Sequence, residues 1–221
     1  MKKYVIISFL FLFFVLNNSL HSQALSIGLK GGPNFSNMME KSDYTTFSDI
    51  YNCLTGFNIG VMLSTSMSDA VGGESGIYLN TRGYKLDEGD EENGVTGTFK
   101  TLWLEVPFKA TTSVELGPLT FFASAGASGS LGLSGTMDMD FTVQGNTTST
   151  TEDIEWGNDP EDDDLLRIDY GAIASVGVEF KSVILEASYY YGMANLSPYT
   201  EDGYVISSRY FAISLGYKFD L

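Results

Sequence analysis

Apolar residues recur at every second position through most of the chain after residue 24, and no sustained helical period interrupts them. A two-residue period is the signature of a β-strand that has one apolar face. The segments that carry it are 25–29, 57–63, 73–84, 102–108, 119–127, 168–180, 183–191 and 211–221. The pattern therefore predicts an all-β chain of eight strands.

Short and long connections alternate between these predicted strands. The short ones are 66–70, 113–118 and 181–182, and the long ones are 33–53, 85–98, 136–165 and 194–203. Outer-membrane barrels sort their connections in this way, with tight turns at the periplasmic rim and long loops outside. The arrangement predicts an eight-stranded antiparallel up-and-down transmembrane β-barrel with both termini in the periplasm.

The face opposite the apolar positions carries five basic and five acidic residues: Lys30, Glu74, Arg82, Glu105, Lys109, Arg167, Asp169, Glu179, Glu186 and Lys218. The lumen of an eight-stranded barrel is only wide enough for side chains, so these charges could fill it as a plug of ion pairs. The alternative is a soluble sheet that turns its charges to water and its apolar face inward.

Residues 1–24 have the three parts of a secretory signal peptide. Lys2 and Lys3 precede an apolar run over 4–16, and Ser22-Gln23-Ala24 offers small residues for cleavage. The apolar run is about 13 residues long, whereas a membrane-spanning helix needs ~20. We therefore expect a signal peptide over 1–24 and a barrel domain over 25–221.

Cleavage would remove His21, which is the single histidine, and take the formal charge from −16 to −18. A histidine-free chain lacks the usual general base at neutral pH and the commonest metal ligand. The strong negative charge argues against nucleic acid as a partner. From this we expect no enzyme, no catalytic or cofactor-binding residue and no metal site.

Cys53, the single cysteine, excludes an intramolecular disulfide and would lie exposed or partly buried at the rim.

The four long connections hold 20 of the 28 acidic residues. The densest stretch, 152–164, has oxygen ligands of the kind that Ca²⁺ accepts, although its spacing matches no EF-hand loop. The other interpretation is a mobile, solvated loop. In the seventh predicted strand, Tyr189, Tyr190 and Tyr191 fit an aromatic girdle at the membrane interface better than a sugar-binding platform.

Four short segments resemble the porin-like outer-membrane β-barrel domain family of Gram-negative bacteria, in matching order and spacing. They are Leu29-Lys30-Gly31-Gly32-Pro33-Asn34-Phe35-Ser36, Gly56-Phe57-Asn58-Ile59-Gly60-Val61, Leu102-Trp103-Leu104-Glu105-Val106-Pro107 and Leu215-Gly216-Tyr217-Lys218-Phe219. The resemblance implies an integral outer-membrane barrel but no particular substrate. Asp220-Leu221 replaces the aromatic final residue that the family favours, and Leu221 still keeps the apolar period that the barrel-assembly machinery would recognise.

These observations predict an outer-membrane protein whose partners are outer-membrane lipid and, during insertion, the barrel-assembly machinery. Its role would be structural or adhesive, with acidic loops that face a surface ligand the sequence does not identify, and Ca²⁺ is a candidate in the loop over 152–164. The alternative is a soluble periplasmic or secreted lipocalin-like barrel that binds a small hydrophobic ligand.

Overall fold

The computed structural model describes residues 24–68, 70–89 and 93–220. The signal peptide expected over 1–24 lies outside the described residues except for Ala24, where the first strand begins. Within the described part the strands are β1 (Ala24–Lys41), β2 (Tyr51–Ser66), β3 (Val71–Gly89), β4 (Asn93–Leu116), β5 (Leu119–Val143), β6 (Asn146–Asp153), β7 (Ile168–Phe180), β8 (Val183–Gly192) and β9 (Val205–Asp220). Short 3-10 helices occupy Phe47–Ile50 and Glu201–Gly203. None of the helices in this part is long and apolar enough to cross a membrane.

Eight of these strands form a closed antiparallel ring. Neighbouring strands pair in the order β4-β3-β2-β1-β9-β8-β7-β5, and β5 returns to pair with β4. The closing pair is long, from Asn93↔Val143 to Leu116↔Leu119. The predicted eight-stranded up-and-down barrel is therefore confirmed, and closure leaves no free edge in the ring.

Three of the four predicted long loops, 33–53, 85–98 and 136–165, are partly strand, so the boundaries predicted for them were wrong. β5 continues into the stretch 136–165 and turns back as β6, through Gln144 (φ 50°) and Gly145 (φ 74°). Two positive φ values suit a two-residue hairpin turn. The stretch has its own two-residue period, which its many acids obscured: Met137, Met139, Phe141 and Val143 alternate with Asp138 and Asp140. β3 and β4 extend in the same way into the predicted loop 85–98.

The apolar face of the barrel points outward. Leu29 is 59% exposed, Ile59 56% and Leu215 62%, whereas Lys30 on the opposite face is 5% exposed. A soluble lipocalin-like barrel requires the reverse arrangement, so that alternative is wrong. Large apolar residues around the ring form the belt that a transmembrane barrel presents to lipid.

The structure also tests the predictions for the tyrosines of β8 and for Cys53, because it shows on which face of its strand each side chain lies. Tyr189 and Tyr191 lie on the outer face as expected of a girdle, but Tyr190 is fully buried in the lumen. The prediction for Tyr190 was wrong because successive residues of a strand point to opposite faces. Cys53 is exposed near the outer end of β2.

Candidate functional site

Most of the charged side chains that alternate with the outer apolar belt lie inside the ring. Seven of the ten predicted ones are buried: Lys30, Glu74, Arg82, Glu105, Lys109, Asp169 and Glu186. Glu179 and Lys218 are half-buried and pair with each other at 2.6 Å near the short-turn end. The expectation for Arg167 was wrong, since it is exposed and lies one residue before β7, where the strand period has not begun.

Four of these residues form what we call the lower network: Lys30, Glu74, Lys109 and Glu186. Lys30 Nζ lies 2.8 Å from Glu74 and 2.9 Å from Glu186. Lys109 Nζ lies 2.8 Å from Glu74 and 3.3 Å from Glu186. The two lysines and two glutamates come from β1, β3, β4 and β8, so this neutral network crosses the barrel interior and every charge has two opposite partners.

The upper network, farther from the short turns, consists of Arg82, Glu105 and Asp169. The Arg82 guanidinium donates to Glu105 at 2.6 Å and to Asp169 at 2.7 Å. Hydroxyl groups add further hydrogen bonds, since Tyr210 donates to Glu105 at 2.8 Å and Ser208 donates to Asp169 Oδ2 at 2.8 Å. The upper network therefore has one cation for two carboxylates.

Aromatic rings surround the single cation of the upper network. The Arg82 guanidinium carbon lies 4.5 Å from the centre of the Tyr190 ring, 5.1 Å from Trp103 and 5.4 Å from Tyr210. Tyr190 and Tyr210 are stacked on each other with centroids 5.2 Å apart. Cation–π contacts of this kind are strongest where water is excluded. The rings thus hold the guanidinium in place and also narrow the lumen around it.

Two glycines beside Tyr78 make room for its ring on the inner wall. A Cβ added to Gly60 would lie 2.5 Å from Tyr78 Cδ1, and one added to Gly76 would lie 2.7 Å from Tyr78 Cε2. Gly60 is the partner of Tyr78 in β2, and Gly76 precedes Tyr78 by two residues in β3. The ring therefore lies along the wall over two positions that leave no room for a Cβ.

A cavity of about 30 Å³ separates the two networks. Tyr78 Oη and Asn80 Oδ1 line the cavity, and neither has a hydrogen-bond partner among the described residues. The volume is enough for about two water molecules. Below the lower network, a polar vestibule of about 490 Å³ opens at the end of the short turns.

At the opposite end, buried apolar residues form what we call the outer cap: Met38, Phe99, Trp103, Ile154, Leu165, Ala194 and Leu196. Ile154 and Leu165 come from the acidic connection between β6 and β7, which folds inward over the lumen. Trp156 from the same connection packs edge-on against Trp103, with ring centroids 5.2 Å apart. The Leu166 amide donates to the Leu196 carbonyl at 2.8 Å and ties this connection to the one between β8 and β9.

The outer cap is not predicted by the sequence pattern, in which Ile154 and Trp156 stand alone among the acids of 152–164. An isolated large apolar residue inside a charged loop was the one available signal.

Three of the six acidic side chains of this connection, Asp159, Asp163 and Asp164, accept hydrogen bonds from its own backbone. Asp163 accepts from the Asp159 amide at 2.7 Å, and Asp164 accepts from the Glu155 amide at 2.9 Å. No group of three or more metal-ligating side chains comes together within the described residues. The calcium hypothesis stays a prediction.

A second polar cluster lies above the barrel, where both Tyr51 and Tyr204 donate their hydroxyls to the Glu40 carboxylate. Tyr51 stacks on Tyr84 at 3.8 Å. Burial, followed by the hydrogen bond to Glu40, raises the pKa of Tyr51 and of Tyr204 above the ordinary tyrosine value. The cluster joins β1, β2 and the connection before β9 at the outer rim.

Comparison with curated proteins finds no match. Several solved outer-membrane structures are similar in fold at low identity. The attachment invasion locus protein Ail of Yersinia pestis is 14% identical, with 89% of this chain and 99% of that chain covered and a TM-score of 0.41. Neisserial surface protein A is 12% identical, with 90% and 100% covered and a TM-score of 0.43. OprG from Pseudomonas aeruginosa is 12% identical, with 90% and 98% covered and a TM-score of 0.46.

A family model described as outer membrane protein beta-barrel domain matches residues 17–197, which is most of the chain. The match agrees with the closed antiparallel ring and with the outward apolar belt. The alternation of short and long connections is also typical of outer-membrane barrels. The chain belongs to the outer membrane protein β-barrel domain family and is a protein of the Gram-negative outer membrane.

Proposed function

We propose that the protein is a closed outer-membrane barrel with a structural or surface-binding role, rather than a channel. The observation that carries the proposal is the pair of buried ion networks stacked along the lumen. Each network spans the interior with side chains from opposite walls, and the outer cap lies above both. A cavity of about 30 Å³ between them leaves no continuous aqueous path of solute size.

The acidic outer connections support the surface-binding part of the proposal. Together with the outer ends of the strands that flank them, over 33–53, 85–98, 136–165 and 194–203, they carry 20 of the 28 acidic residues, and the short turns at the other end carry few charges. With the short turns in the periplasm, this acidic surface faces the medium. We propose no catalytic activity, because residues 24–221 contain no histidine and the buried carboxylates are engaged in ion pairs.

Conductance of the purified protein in planar bilayers tests whether the barrel is closed. We expect no steady ohmic steps from refolded protein whose gel migration shifts on boiling, which shows that it is a folded barrel. A trimeric porin in the same membrane provides the positive control. Regular steps that scale with salt concentration would contradict a closed lumen.

Labelling of Cys53 on intact cells tests the orientation. Cys53 is the single cysteine and is exposed at the outer end of β2. We expect a membrane-impermeant maleimide to label it without lysis, and Cys53→Ser to abolish the signal. Labelling that requires lysis would place the acidic connections in the periplasm and contradict the proposed surface.

A further inference from the structure

β6 has one free edge. It pairs with β5 from Thr136↔Asp153 to Val143↔Asn146, and no other strand within the described residues pairs with it. All eight of its side chains are exposed. Eight extended residues present a row of backbone donors and acceptors about 26 Å long.

The only charged side chains in β6 are Glu152 and Asp153 at its end, and its first six residues carry none of the usual protections of an edge. Natural edge strands are usually protected by a proline, a lysine or a bulge. The strand reads Asn-Thr-Thr-Ser-Thr-Thr-Glu-Asp and contains neither proline nor lysine, and its pairing with β5 runs without a register shift. Because the Ser and Thr side chains are small, they project little from either face of the strand.

The two faces of the outer hairpin, formed by β5 from Thr136 onward and β6, differ in chemistry. One face carries Asp138 and Asp140 of β5, opposite Thr151 and Ser149 of β6. The other face continues the inner side of the barrel and exposes apolar β5 residues. They include Phe141, which is 43% exposed, and Val143, which is 63% exposed.

A strand added beside β6 would place alternate side chains on these two faces. Its residues on the acidic face would meet Asp138 and Asp140 across the short Ser and Thr side chains, which favours Lys or Arg there. Its residues on the other face would extend the apolar surface of Phe141. Residues two strands apart on one face of a sheet are separated by about 9.5 Å, a gap that long side chains such as Lys and Arg can span over the small Ser and Thr residues between them.

A second copy of this chain is a poor occupant. The hairpin carries four acids, Asp138, Asp140, Glu152 and Asp153, and residues 136–153 contain no basic residue, so two copies edge to edge would bring eight like charges together. We propose that β6 adds an extended segment of a partner protein as a further strand, and that this segment alternates basic with apolar residues. The proposal rests on the proposed surface-binding role and names the partner's chemistry.

Peptide binding to the full chain in nanodiscs tests the proposal. The probe is an acetylated octapeptide that alternates Arg and Val. Its controls are a block isomer, with four Arg followed by four Val, and the alternating peptide N-methylated at every second residue along one edge. We expect the alternating peptide to bind at least about tenfold more tightly than either control. Asp138→Lys combined with Asp140→Lys should remove most of that preference, and its boiling-dependent gel shift shows whether the barrel is intact.

The outcomes distinguish a failure of the strand-addition proposal from a failure of the surface-binding role on which it rests. Equal binding of all three peptides would overturn strand addition and leave an acidic surface that attracts any cationic chain. Failure of every basic peptide to bind would contradict the surface-binding role itself. Dimers of the unliganded protein that dissociate when β6 is deleted would also overturn the proposal, because a second copy would then occupy the edge.

Discussion

The two ion networks of the lumen differ in how their charges are shared. In the lower network each charge has two opposite partners and the sum is neutral, so the loss of one member leaves the others paired. In the upper network Arg82 alone neutralises Glu105 and Asp169, and all three are at most 1% exposed. A buried charge is costly without a partner. The ion pairs of the lower network are therefore redundant, whereas those of the upper network all depend on Arg82.

Replacement of Arg82 should have the largest effect on stability. Arg82→Ala leaves Glu105 and Asp169 buried without a counter-charge, and we expect a loss of about 3–5 kcal/mol in the free energy of unfolding. Urea unfolding from lipid vesicles measures it. Arg82→Lys keeps the charge but not the planar fork, so it should fall between the alanine variant and the wild type. A wild-type unfolding midpoint for Arg82→Ala would show that the upper network is not what stabilises this layer.

In the lower network a single replacement should cost less than a double one. Lys30→Met leaves Lys109 in contact with both Glu74 and Glu186, so we expect a loss of about 1–3 kcal/mol. Lys30→Met combined with Lys109→Met leaves both glutamates unpaired. The double variant should therefore lose more than twice the single effect. The same unfolding measurement applies, and strictly additive effects would show that the lysines do not share their partners.

The strand period predicted which charges share a face but not which of them pair. Alternation puts Lys30, Arg82 and Glu105 on the face opposite the apolar residues, and it is the exposure of those apolar residues in the structure that makes the charged face the inner one. Pairing depends on the register between strands. In the β4–β5 pair the register shifts at Leu102/Trp103, so every β5 residue beyond this point is displaced by one position relative to β4. Such a shift leaves no mark on the period of either strand.

The outer cap could not be predicted because it depends on contacts between connections distant in sequence. Ile154 and Leu165 pack with Leu196, and none of the three belongs to a periodic segment. Period-based analysis detects one element at a time. A buried loop residue is recognised only when the elements around it are already placed.

A single methyl group at Gly132 should disturb this cap. A Cβ there would lie 2.3 Å from the Trp156 ring, whereas a Cβ at Gly129 in the same strand meets nothing within 4 Å. We expect Gly132→Ala to displace Trp156 at a cost of about 1–3 kcal/mol, and Gly129→Ala to have little effect. Trp103 and Trp156 are the two tryptophans of the chain, so iodide quenching of tryptophan fluorescence reports on the cap directly. Equal quenching of the two variants would contradict the packing.

The tyrosines around Glu40 should give the smallest effect, and only in alkali. Their pKa values are raised from about 10 by burial and by the hydrogen bonds to Glu40, so the folded protein holds these protons to higher pH than the unfolded chain does. Stability from this cluster is therefore full below pH ~10 and is lost as the pH rises above it. Tyr51→Phe and Tyr204→Phe should each cost about 1 kcal/mol at neutral pH and flatten the alkaline loss. Unfolding midpoints measured across that pH range test this, with Tyr44→Phe as the control because Tyr44 is 83% exposed. An alkaline loss that Tyr51→Phe and Tyr204→Phe leave unchanged would place its origin elsewhere in the barrel.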